Sequence, residues 1–516
     1  MTCFDPFAAL HFINNEFVPA QGVVRDVINP STLAPCGRIA DATATEIDRA
    51  LSAAEAARPS WSRLDAKSRA QLLHALANSF EQSDKHDVAR LMTLEVGKPY
   101  PESTGELANV PTIFRYYAEM ARDDGGKIAS PIQTGSFQYA RYFPYGTSVH
   151  IVPYNFPILL MSWTLAASLA AGNVAIIKPA EAGTLCSLKF MEHFHLLPPG
   201  VVNLLAGGPA VGKALVNSPR THIVAFTGSV AAARSVASTC AVQLKPSLIE
   251  AGGNDPLIVS DKAPLDVAIA GSVTAAFHLS GQICTSAERF LVHEKIHDAF
   301  VSGLVTGARA LRVGDGLGRH EIGPLVSEAA RNKVIRLVDD AVSRGAKIAT
   351  GGRVPPHLST GWFYEPTVLT GVTPDMPIFQ EELFGPVAPI CRVASFDEAL
   401  TLANRSEFGL GANLFTSDLA EAMRAAEELE AGMVWVNNPL IDNDALPFGG
   451  WKNSGLGRSL SRLGLDTFRQ SKMIVIDPQP HLHDWWYPYP DSVFYESREP
   501  APAPSQPKSP NKKGAN

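Results

Sequence analysis

One cysteine stands where its thiol could act as a nucleophile. Cys284 lies in the stretch GQICTSAER (residues 281–289), with a glycine shortly before it and small polar residues after it, so a substrate could approach the sulfur closely. Most lone cysteines are buried small hydrophobes, which is the alternative interpretation of Cys284. A nucleophilic thiol needs a group that accepts its proton. The sequence offers His278 and His293 nearby, and Glu250 thirty-four residues earlier.

Glu250 is the favoured proton acceptor, because a surface or core role suits either histidine better. It directly precedes a glycine pair in EAGGN (residues 250–254), at the predicted end of a strand. Glycines there let the backbone meet a ligand closely. Burial can raise the pKa of a glutamate until it serves as a general base near neutral pH. The alternative is a strand-end carboxylate that faces solvent.

An asparagine side chain is held by the turn PYNFP (residues 153–157), which also follows a predicted strand. Two prolines make this turn rigid. The amide of Asn155 could therefore donate a hydrogen bond to a developing oxyanion, an interaction worth about 3–4 kcal/mol in other enzymes. The alternative is an Asx turn, in which the amide bonds only to its own backbone.

A nucleotide cofactor has two candidate contacts, although no GxGxxG motif follows a strand. A predicted strand leads into Thr227, Gly228 and Ser229, and a glycine–serine pair at a helix N-terminus suits a pyrophosphate. A second strand ends in Lys178 and Glu181, which offer an ammonium and a carboxylate to ribose hydroxyls. A carboxylate there would repel a 2′-phosphate and favour NAD over NADP. Each feature could equally be a helix cap or a surface charge.

The elements that must position these residues form an α/β pattern. Between about 146 and 256, short β-branched runs alternate with helical stretches, which predicts a parallel, doubly wound sheet with its ligand beyond the carboxyl ends of the strands. Residues 257–436 predict a second α/β domain. Residues 134–143 and 472–476 alternate like strands and could form a small sheet used in association. The five runs of the first sheet are 148–152, 174–177, 201–205, 223–226 and 248–249.

The two ends of the chain differ from its α/β centre. The first hundred residues are predicted to be mainly helical: Thr43 or Thr45 would cap a helix that ends before Pro59, and Asp65 would cap another. Near the other end, residues 483–495 are rich in aromatic side chains, and we expect them to dock on the body or on a neighbouring subunit. The final proline-rich stretch is predicted to be disordered.

Composition excludes several classes of protein. A net charge of −7 without a basic cluster gives no nucleic-acid footprint. Six scattered cysteines without a CxxC pair predict neither a metal site nor a disulfide framework. The N-terminus shows no signal peptide, and the apolar run 157–172 is shorter than the roughly 20 residues of a membrane span. We therefore expect a cytoplasmic enzyme without membrane or nucleic-acid partners.

Taken together, the motifs resemble those of the aldehyde dehydrogenase superfamily over roughly residues 10–480. No single motif is specific, but their order and spacing are. In chain order they are PYNFP, KPAE, PPGVVNLLAGG, FTGS, EAGG, GQIC, EELFGPV and PFGGWKNSGLGR.

The resemblance implies a role for each matching residue. Cys284 matches the nucleophile, Glu250 the base that activates water, and Asn155, with the backbone N–H of Cys284, the oxyanion hole. The implied reaction is oxidation of an aldehyde by NAD through a thiohemiacetal and a thioester on Cys284, followed by hydrolysis to the acid. The implied cofactor contacts are Val152, Pro153, Tyr154, Lys178, Glu181, Gly228, Ser229, Glu382 and Phe384.

The resemblance also implies the domain plan and assembly. Residues 1–125 and 145–250 would form a Rossmann-like NAD-binding domain, and 251–440 a catalytic domain with Cys284. Residues 126–144 and 468–480 would be oligomerisation strands of a homodimer or homotetramer, and 481–516 the aromatic segment and tail. The chain departs from the family motif where Ala251, Asn254 and Ala233 replace a leucine, a lysine and a glycine.

The substrate stays open at this stage. By the resemblance, the aldehyde tunnel is lined by Phe156, Trp163, Ile283, Thr285 and Phe448. Aromatic walls favour an aliphatic or aromatic aldehyde, which is the preferred substrate class from the sequence. Two carboxylates in the mouth segment 441–444 favour an amino- or hydroxy-aldehyde instead, unless that loop is merely solvated. Glu250 argues against an acylating enzyme that uses coenzyme A, and the three catalytic residues together argue against an inactive homologue.

Overall fold

Two parallel sheets dominate the computed structural model, which describes residues 4–123 and 125–495. In the first, five strands run parallel, and antiparallel strands flank them at both edges. They are buried on both faces, as expected of a parallel sheet covered by helices. In spatial order the strands are Glu16–Pro19, Leu10–Ile13, Val202–Leu204, Val174–Pro179, Thr147–Val152, Ile223–Thr227, Ser247–Glu250 and Gly455–Leu456.

This strand order creates a place for a ligand. The five parallel strands, numbered as they occur in the chain, are arranged 3-2-1-4-5, so the winding reverses between Thr147–Val152 and Ile223–Thr227. A crevice for a ligand opens beyond the carboxyl ends of the strands at such a switch point. All five predicted runs are strands of this sheet, and the α/β prediction is confirmed.

The chain passes directly from the last parallel strand of the first sheet into the second sheet. Its six parallel strands and one antiparallel edge strand pack against apolar helices. In spatial order they are Lys347–Thr350, Thr367–Thr370, Val387–Val393, Ala287–His293, Asp255–Val259, Gly411–Phe415 and Met433–Val436.

Helices cover both sheets. A capping box in which Thr43 and Glu46 satisfy each other's backbone begins the first helix, and Asp65 caps the second. The helices are Ala44–Arg63, Ala66–Gln82, His86–Val96, Tyr100–Asp123, Leu159–Ala171, Thr184–Phe190, Pro209–Asn217, Val230–Val242, Leu265–Phe277, His297–Ala310, Glu328–Ser343, Pro377–Gln380, Phe396–Asn404, Leu419–Glu428 and Ser461–Thr467, with 3-10 turns at Met191–Leu196, His278–Gly281 and Asp491–Val493.

The prediction for the N-terminal region is wrong in two respects. The chain before Thr43 forms strands, including the antiparallel pair Val24–Ile28 and Pro35–Ala40, and not helices. The first helix also continues through Pro59 to Arg63. Proline removes one hydrogen bond from a helix, but the next turn buries Trp61 almost completely, and that burial holds the turn in place.

The described residues divide into two compact units. One comprises the described residues of Met1–Gly126 and Tyr142–Lys472 and holds both large sheets. The other comprises Lys127–Arg141 and the described chain from Met473 onward. A three-stranded sheet has the order Arg469–Ile476, Phe137–Pro144, Gly126–Ile128, so both predicted association strands exist. The domain boundaries and the role in association stay predictions.

Two further expectations concern the C-terminal region. Aromatic side chains of residues 485–495 are exposed, including Trp485 and Tyr487, and their docking on the body or on a neighbouring subunit stays a prediction. The proline-rich tail lies outside the described residues. Within residues 4–123 and 125–495, no helix is long and apolar enough to cross a membrane. A short antiparallel pair, Phe408–Gly409 with Trp451–Lys452, completes the strands.

Candidate active site

The loop before Cys284 is a strained turn between the helix Leu265–Phe277 and the strand Ala287–His293. Leu279 and Ser280 have φ of 52° and 55°, in the left-handed region that side chains disfavour, and Gly281 follows at 71°. The turn is held by its neighbours: the N–H of Leu279 donates to Glu102 at 3.1 Å, and the hydroxyl of Ser280 donates to the carbonyl of Gly323 at 2.9 Å. These contacts together fix the position of the loop that carries the Cys284 thiol.

The glycine pair after Glu250 allows two other segments to come close. A Cβ at Gly252 would lie 2.2 Å from a carboxylate oxygen of Glu382, and one at Gly253 would lie 2.3 Å from the carbonyl oxygen of Cys284. Gly253 has no room for a side chain, and a side chain at Gly252 would have to displace the carboxylate of Glu382. The pair therefore brings the base, the nucleophile loop and Glu382 together, whereas the motif predicts the close approach of a ligand.

Glu250 is buried at the end of the strand Ser247–Glu250 and is 5% exposed. Its Oε1 accepts a hydrogen bond from the hydroxyl of Ser459 at 3.2 Å, and its Oε2 has no hydrogen-bond partner among the described residues. Burial raises the pKa of this carboxyl to about 8, while Ser459 and Arg458 lower it. A carboxyl that titrates near neutrality can take a proton from a nucleophile.

Asn155 does not form the Asx turn of the alternative interpretation. Its Nδ2 donates at 3.0 Å to the carbonyl oxygen of Gln282, in the loop that carries Cys284. An amide nitrogen has two hydrogens, so one remains for an oxyanion. Asn155 is 2% exposed and lines a cavity together with Cys284.

A buried ion pair that sequence reasoning missed positions Asn155. Lys98 donates to the carbonyl oxygen of Asn155 at 2.9 Å and to Glu106 at 2.6 Å, and both charged side chains are fully buried. The other oxygen of Glu106 accepts the N–H groups of Ile158 and Leu159 at 2.8 and 2.9 Å. Breaking such a pair leaves an uncompensated buried charge and costs about 3–5 kcal/mol. Nothing in the sequence links these two residues to the turn.

The surroundings of Cys284 disfavour its thiolate. Burial raises the pKa of the thiol well above its ordinary value, and the carboxyl groups of Asp255, Asp442, Glu250 and Glu382 raise it further. The carboxyl groups around the sulfur therefore oppose its ionisation, so activation must come from removal of the proton or from a bound cation.

A first cavity opens at the switch point of the first sheet. It contains six of the predicted cofactor residues together with Asn155 and Cys284. Ser229 is the N-cap of the helix Val230–Val242, where the helix dipole favours an anion such as a pyrophosphate. The six are Pro153, Tyr154, Gly228, Ser229, Glu382 and Phe384.

Three predicted cofactor residues lie outside the lining of this cavity. Val152 is a buried strand residue whose carbonyl oxygen accepts the N–H of Ala180. Lys178 is buried, and burial lowers the pKa of its ammonium to about 8. Glu181 forms an ion pair of 2.5 Å with Arg25, which also contacts Asp41 at 2.8 Å. A cation beside Glu181 is absent from the sequence prediction and weakens the repulsion of a 2′-phosphate.

Glu288 holds the loop that contains Leu383 and Phe384, a role that sequence reasoning also missed. Its carboxyl oxygens accept the N–H groups of Leu383 and Phe384 at 2.7 and 2.6 Å, and Phe384 has a left-handed φ of 53°. Asn254, which replaces the family lysine, donates to Glu288 at 3.2 Å. Burial and the nearby Glu382 raise the pKa of Glu288 to about 8. Asn254 thus joins the scaffold of this loop.

A second cavity reaches Cys284 from another direction. Its walls are largely apolar, and Trp163 and Phe448 have their ring centroids 4.7 Å apart. All five predicted tunnel residues, Phe156, Trp163, Ile283, Thr285 and Phe448, belong to this lining together with Cys284.

The lining of this tunnel includes acidic side chains. Glu102 and Asp442 belong to the lining, which contains no lysine or arginine among the described residues. Burial, and then Asp444, raises the pKa of Asp442 to about 6. His278, one of the two alternative bases, lies in the tunnel with its Nδ1 3.1 Å from Glu102. His293 is outside it, at the buried end of the strand Ala287–His293.

Comparison with known proteins identifies the family. The family model described as "Aldehyde dehydrogenase family" matches residues 17–474. The chain belongs to this family. It is 36% identical over 490 residues to peroxisomal aminoaldehyde dehydrogenase 1 of Pisum sativum, covering 92% of this chain and 97% of the relative. It is 33% identical over 485 residues to betaine aldehyde dehydrogenase of Bacillus subtilis (strain 168), covering 92% and 99%.

Solved structures of aldehyde dehydrogenases agree with this assignment. Betaine aldehyde dehydrogenase from Staphylococcus aureus, in complex with NAD+, superposes with a TM-score of 0.90 at 32% identity, covering 93% of this chain and 97% of that one. A putative aldehyde dehydrogenase from Burkholderia cenocepacia superposes with a TM-score of 0.89 at 36% identity, covering 92% and 99%. The predicted family and fold are confirmed.

Proposed function

We propose that this aldehyde dehydrogenase uses NAD+ to oxidise an aldehyde that carries a cationic nitrogen. The observation that carries the reaction is the position of Cys284, which lines both the cavity at the switch point and the apolar tunnel. A nucleophile at the junction of a cofactor cavity and a substrate cavity can hold an aldehyde where its hydride is transferred.

The residues of the chain perform the steps around that transfer. The sulfur of Cys284 attacks the aldehyde carbon, its proton is taken up by a base, and the free hydrogen of the Asn155 amide stabilises the oxyanion of the thiohemiacetal. A bound NAD+ would supply the acceptor for the hydride of the thiohemiacetal carbon. The product is a thioester on Cys284.

Hydrolysis of that thioester is the task of Glu250. Its carboxylate takes a proton from water, the hydroxide adds to the thioester carbonyl, and the carbon–sulfur bond breaks to release the acid and the thiolate. The raised pKa of Glu250 makes it a base strong enough for this step. Its side chain lines a small cavity with Cys284, Thr227 and Ser459, where a water can lie between base and thioester.

The cofactor cavity fits a nicotinamide nucleotide. The helix N-terminus at Ser229 suits the pyrophosphate, and Glu382 and Phe384 would contact the nicotinamide ribose and ring. Lys178 and Glu181 would bind the adenine-side ribose. The S. aureus relative was solved with NAD+, which supports the same cofactor here.

The charge of the tunnel favours a cationic substrate over the uncharged aldehyde that the sequence placed first. Glu102 and Asp442 line the tunnel without a lysine or arginine beside them in its described lining. Aromatic faces such as those of Trp163 and Phe448 also attract an ammonium group. The names of the relatives, aminoaldehyde and betaine aldehyde dehydrogenase, denote substrates with such a nitrogen. The second candidate is an uncharged aldehyde held by the same aromatic walls.

The proposal also covers the association of the chain and its cellular location. We infer that the strands Phe137–Pro144 and Arg469–Ile476 associate with a second copy of the chain, because most of the latter strand is exposed. A cytoplasmic location stays a prediction: the P. sativum relative is named as peroxisomal.

A panel of aldehydes tests the substrate. We expect the kcat/KM for an ω-aminoaldehyde to exceed that for an uncharged aldehyde of equal length, and that for a carboxy-aldehyde to be lowest. The substitution Asp442→Asn should lower the first value about threefold to tenfold, as for a solvent-accessible charge pair, and leave the second nearly unchanged. Asp266→Asn, at an exposed position outside the tunnel lining, is the matched control. Equal effects of Asp442→Asn on both aldehydes would refute the cationic substrate.

A further inference from the structure

Three potential metal ligands meet in the smaller of the two units, and none of them belongs to the active site described above. Asp477 directly follows the strand that ends at Ile476, and His481 and His483 come four and six residues later. One carboxylate oxygen and one nitrogen of each imidazole all lie within 4.8 Å of one another. A carboxylate with two imidazoles is a donor set that borderline divalent ions such as Zn²⁺ bind.

The distances between these atoms match the spacing of ligands around one ion. Oδ2 of Asp477 lies 3.3 Å from Nδ1 of His481 and 3.6 Å from Nε2 of His483. Ligand atoms about 2.0–2.2 Å from a tetrahedral zinc ion are themselves about 3.3–3.6 Å apart. A direct charge-assisted hydrogen bond would instead be about 2.7–2.9 Å long. A single oxygen facing two imidazoles at these longer distances leaves room for an ion between them.

The surrounding residues orient the ligands. Oδ1 of Asp477 accepts the N–H of Gln479 at 3.1 Å, which turns Oδ2 toward the histidines. His483 packs edge-on against Trp486 at 4.7 Å, and the N–H of Trp486 donates to the carbonyl oxygen of His483 at 2.9 Å. Partners of this kind fix the ligands of metal sites. The side chains of Asp477 and His481 are 30% and 59% exposed, so an ion can enter from solvent.

We propose that Asp477, His481 and His483 bind one divalent ion of the zinc class, with water at the fourth position. Nδ1 of His481 also lies 3.1 Å from the carbonyl oxygen of Gln479, to which it can only donate. Binding of the ion through Nδ1 therefore replaces that hydrogen bond and places the proton on Nε2. The scattered cysteines predict no metal site, but this site contains no cysteine. The ion closes the short segment between Asp477 and His483 and so orders the aromatic residues that follow.

Zinc titration of the full-length enzyme tests the proposal. Isothermal calorimetry with ZnCl₂ alone is compared for the wild-type protein, the double variant H481A/H483A, Asp477→Asn, and His357→Ala, whose histidine is exposed and outside the cluster. Zinc that binds the thiol of Cys284 appears in all four proteins, so the difference between them isolates the new site. Tryptophan fluorescence gives a second readout, since Trp486 contacts His483.

The expected result is one additional Zn²⁺ per chain in the wild-type protein and in His357→Ala, which the double variant lacks. Asp477→Asn should weaken binding by at least the roughly 10–100-fold that loss of a supporting partner costs a metal site. Unchanged aldehyde oxidation without added zinc verifies that the variants are folded. Equal zinc stoichiometry in the wild type and the double variant would overturn the proposal, whether or not the enzyme oxidises aldehydes.

Discussion

Replacing Glu250 with glutamine removes a buried carboxyl group whose protonation the fold controls. Burial raises the pKa of Glu250 to about 8, because only Ser459 and Arg458 act in the opposite direction. A base must be ionised to take a proton from water. Glu250 is therefore mostly protonated at pH 7, and hydrolysis of the thioester on Cys284 should accelerate as the pH rises through 8.

The magnitude follows from that pKa. About a tenth of Glu250 is ionised at pH 7 and about half at pH 8. Where deacylation limits the rate, kcat should rise about fivefold from pH 7 to 8 and less than twofold from 8 to 9. Glu250→Gln should abolish this rise and lower steady-state turnover about 10²–10⁴-fold, the usual contribution of a general base.

The same pKa predicts an effect on stability. Between pH 4.5 and about 8 the folded state keeps a proton on Glu250 that the unfolded chain has lost, so the free energy of unfolding decreases as the pH rises. A change from 4.5 to about 8 corresponds to at most about 5 kcal/mol, at about 1.36 kcal/mol for each pH unit. Glutamine carries no such cost, so the Tm of Glu250→Gln should exceed that of the wild type at pH 9.

Stopped-flow measurement of NADH formation separates the two half-reactions. Glu250→Gln should retain a burst of about one NADH per active site, because the hydride leaves before hydrolysis begins. Glu294→Gln, at an exposed position on the surface, is the control for loss of a carboxylate. Equal loss of burst and steady-state rate in Glu250→Gln, or a flat wild-type kcat between pH 7 and 9, would refute this assignment.

Three further predictions concern selectivity and the cofactor. The ratio of kcat/KM for a cationic over an uncharged aldehyde should fall below pH 6, because the carboxylate of Asp442, with a pKa of about 6, becomes neutral there. Glu181→Gln should raise kcat/KM with NADP relative to NAD about tenfold, about 1.4 kcal/mol, because it frees Arg25 to meet a 2′-phosphate. Glu288→Ala should raise the KM for NAD, because each backbone N–H that loses its acceptor costs about 1–3 kcal/mol. Glu288→Gln should have an intermediate effect.

Each of these has an outcome that contradicts it. A selectivity ratio that does not change between pH 5 and 7 would count against Asp442. A wild-type enzyme that already prefers NADP would show that Glu181 does not repel the phosphate. A Glu288→Ala variant with an unchanged KM for NAD but a reduced Tm would give Glu288 a structural role only.

The parallel strands could be predicted because they are buried on both faces. Val174–Pro179 is a continuous apolar and β-branched run before its lysine, and such runs have few other interpretations. The N-terminal strands could not be found in this way. Val24–Ile28 has a single buried residue and pairs with one other strand, so its residues carry no clear alternation. Pro59 led to a wrong prediction of where the first helix ends, because a helix whose next turn is well buried tolerates a proline.

The residues of the active site also divide into those that the sequence could locate and those that it could not. The motifs around Glu250, Cys284 and Asn155 could be located from residue types and order, and the resemblance assigned their roles. The supports could not, because they depend on contacts between distant parts of the chain. Glu288 holds Phe384 across 96 residues, and Arg25 meets Glu181 across an even longer separation. No local pattern records such a pair.

The covalent intermediate on Cys284 is the central claim, and mass spectrometry of a trapped sample tests it most directly. Glu250→Gln is mixed with NAD+ and an ω-aminoaldehyde, quenched in acid, and digested. The peptide containing Cys284 should carry the acyl group of the aldehyde, and treatment with hydroxylamine should remove it. Formation of NADH without an acyl group on that peptide would rule out the thioester intermediate.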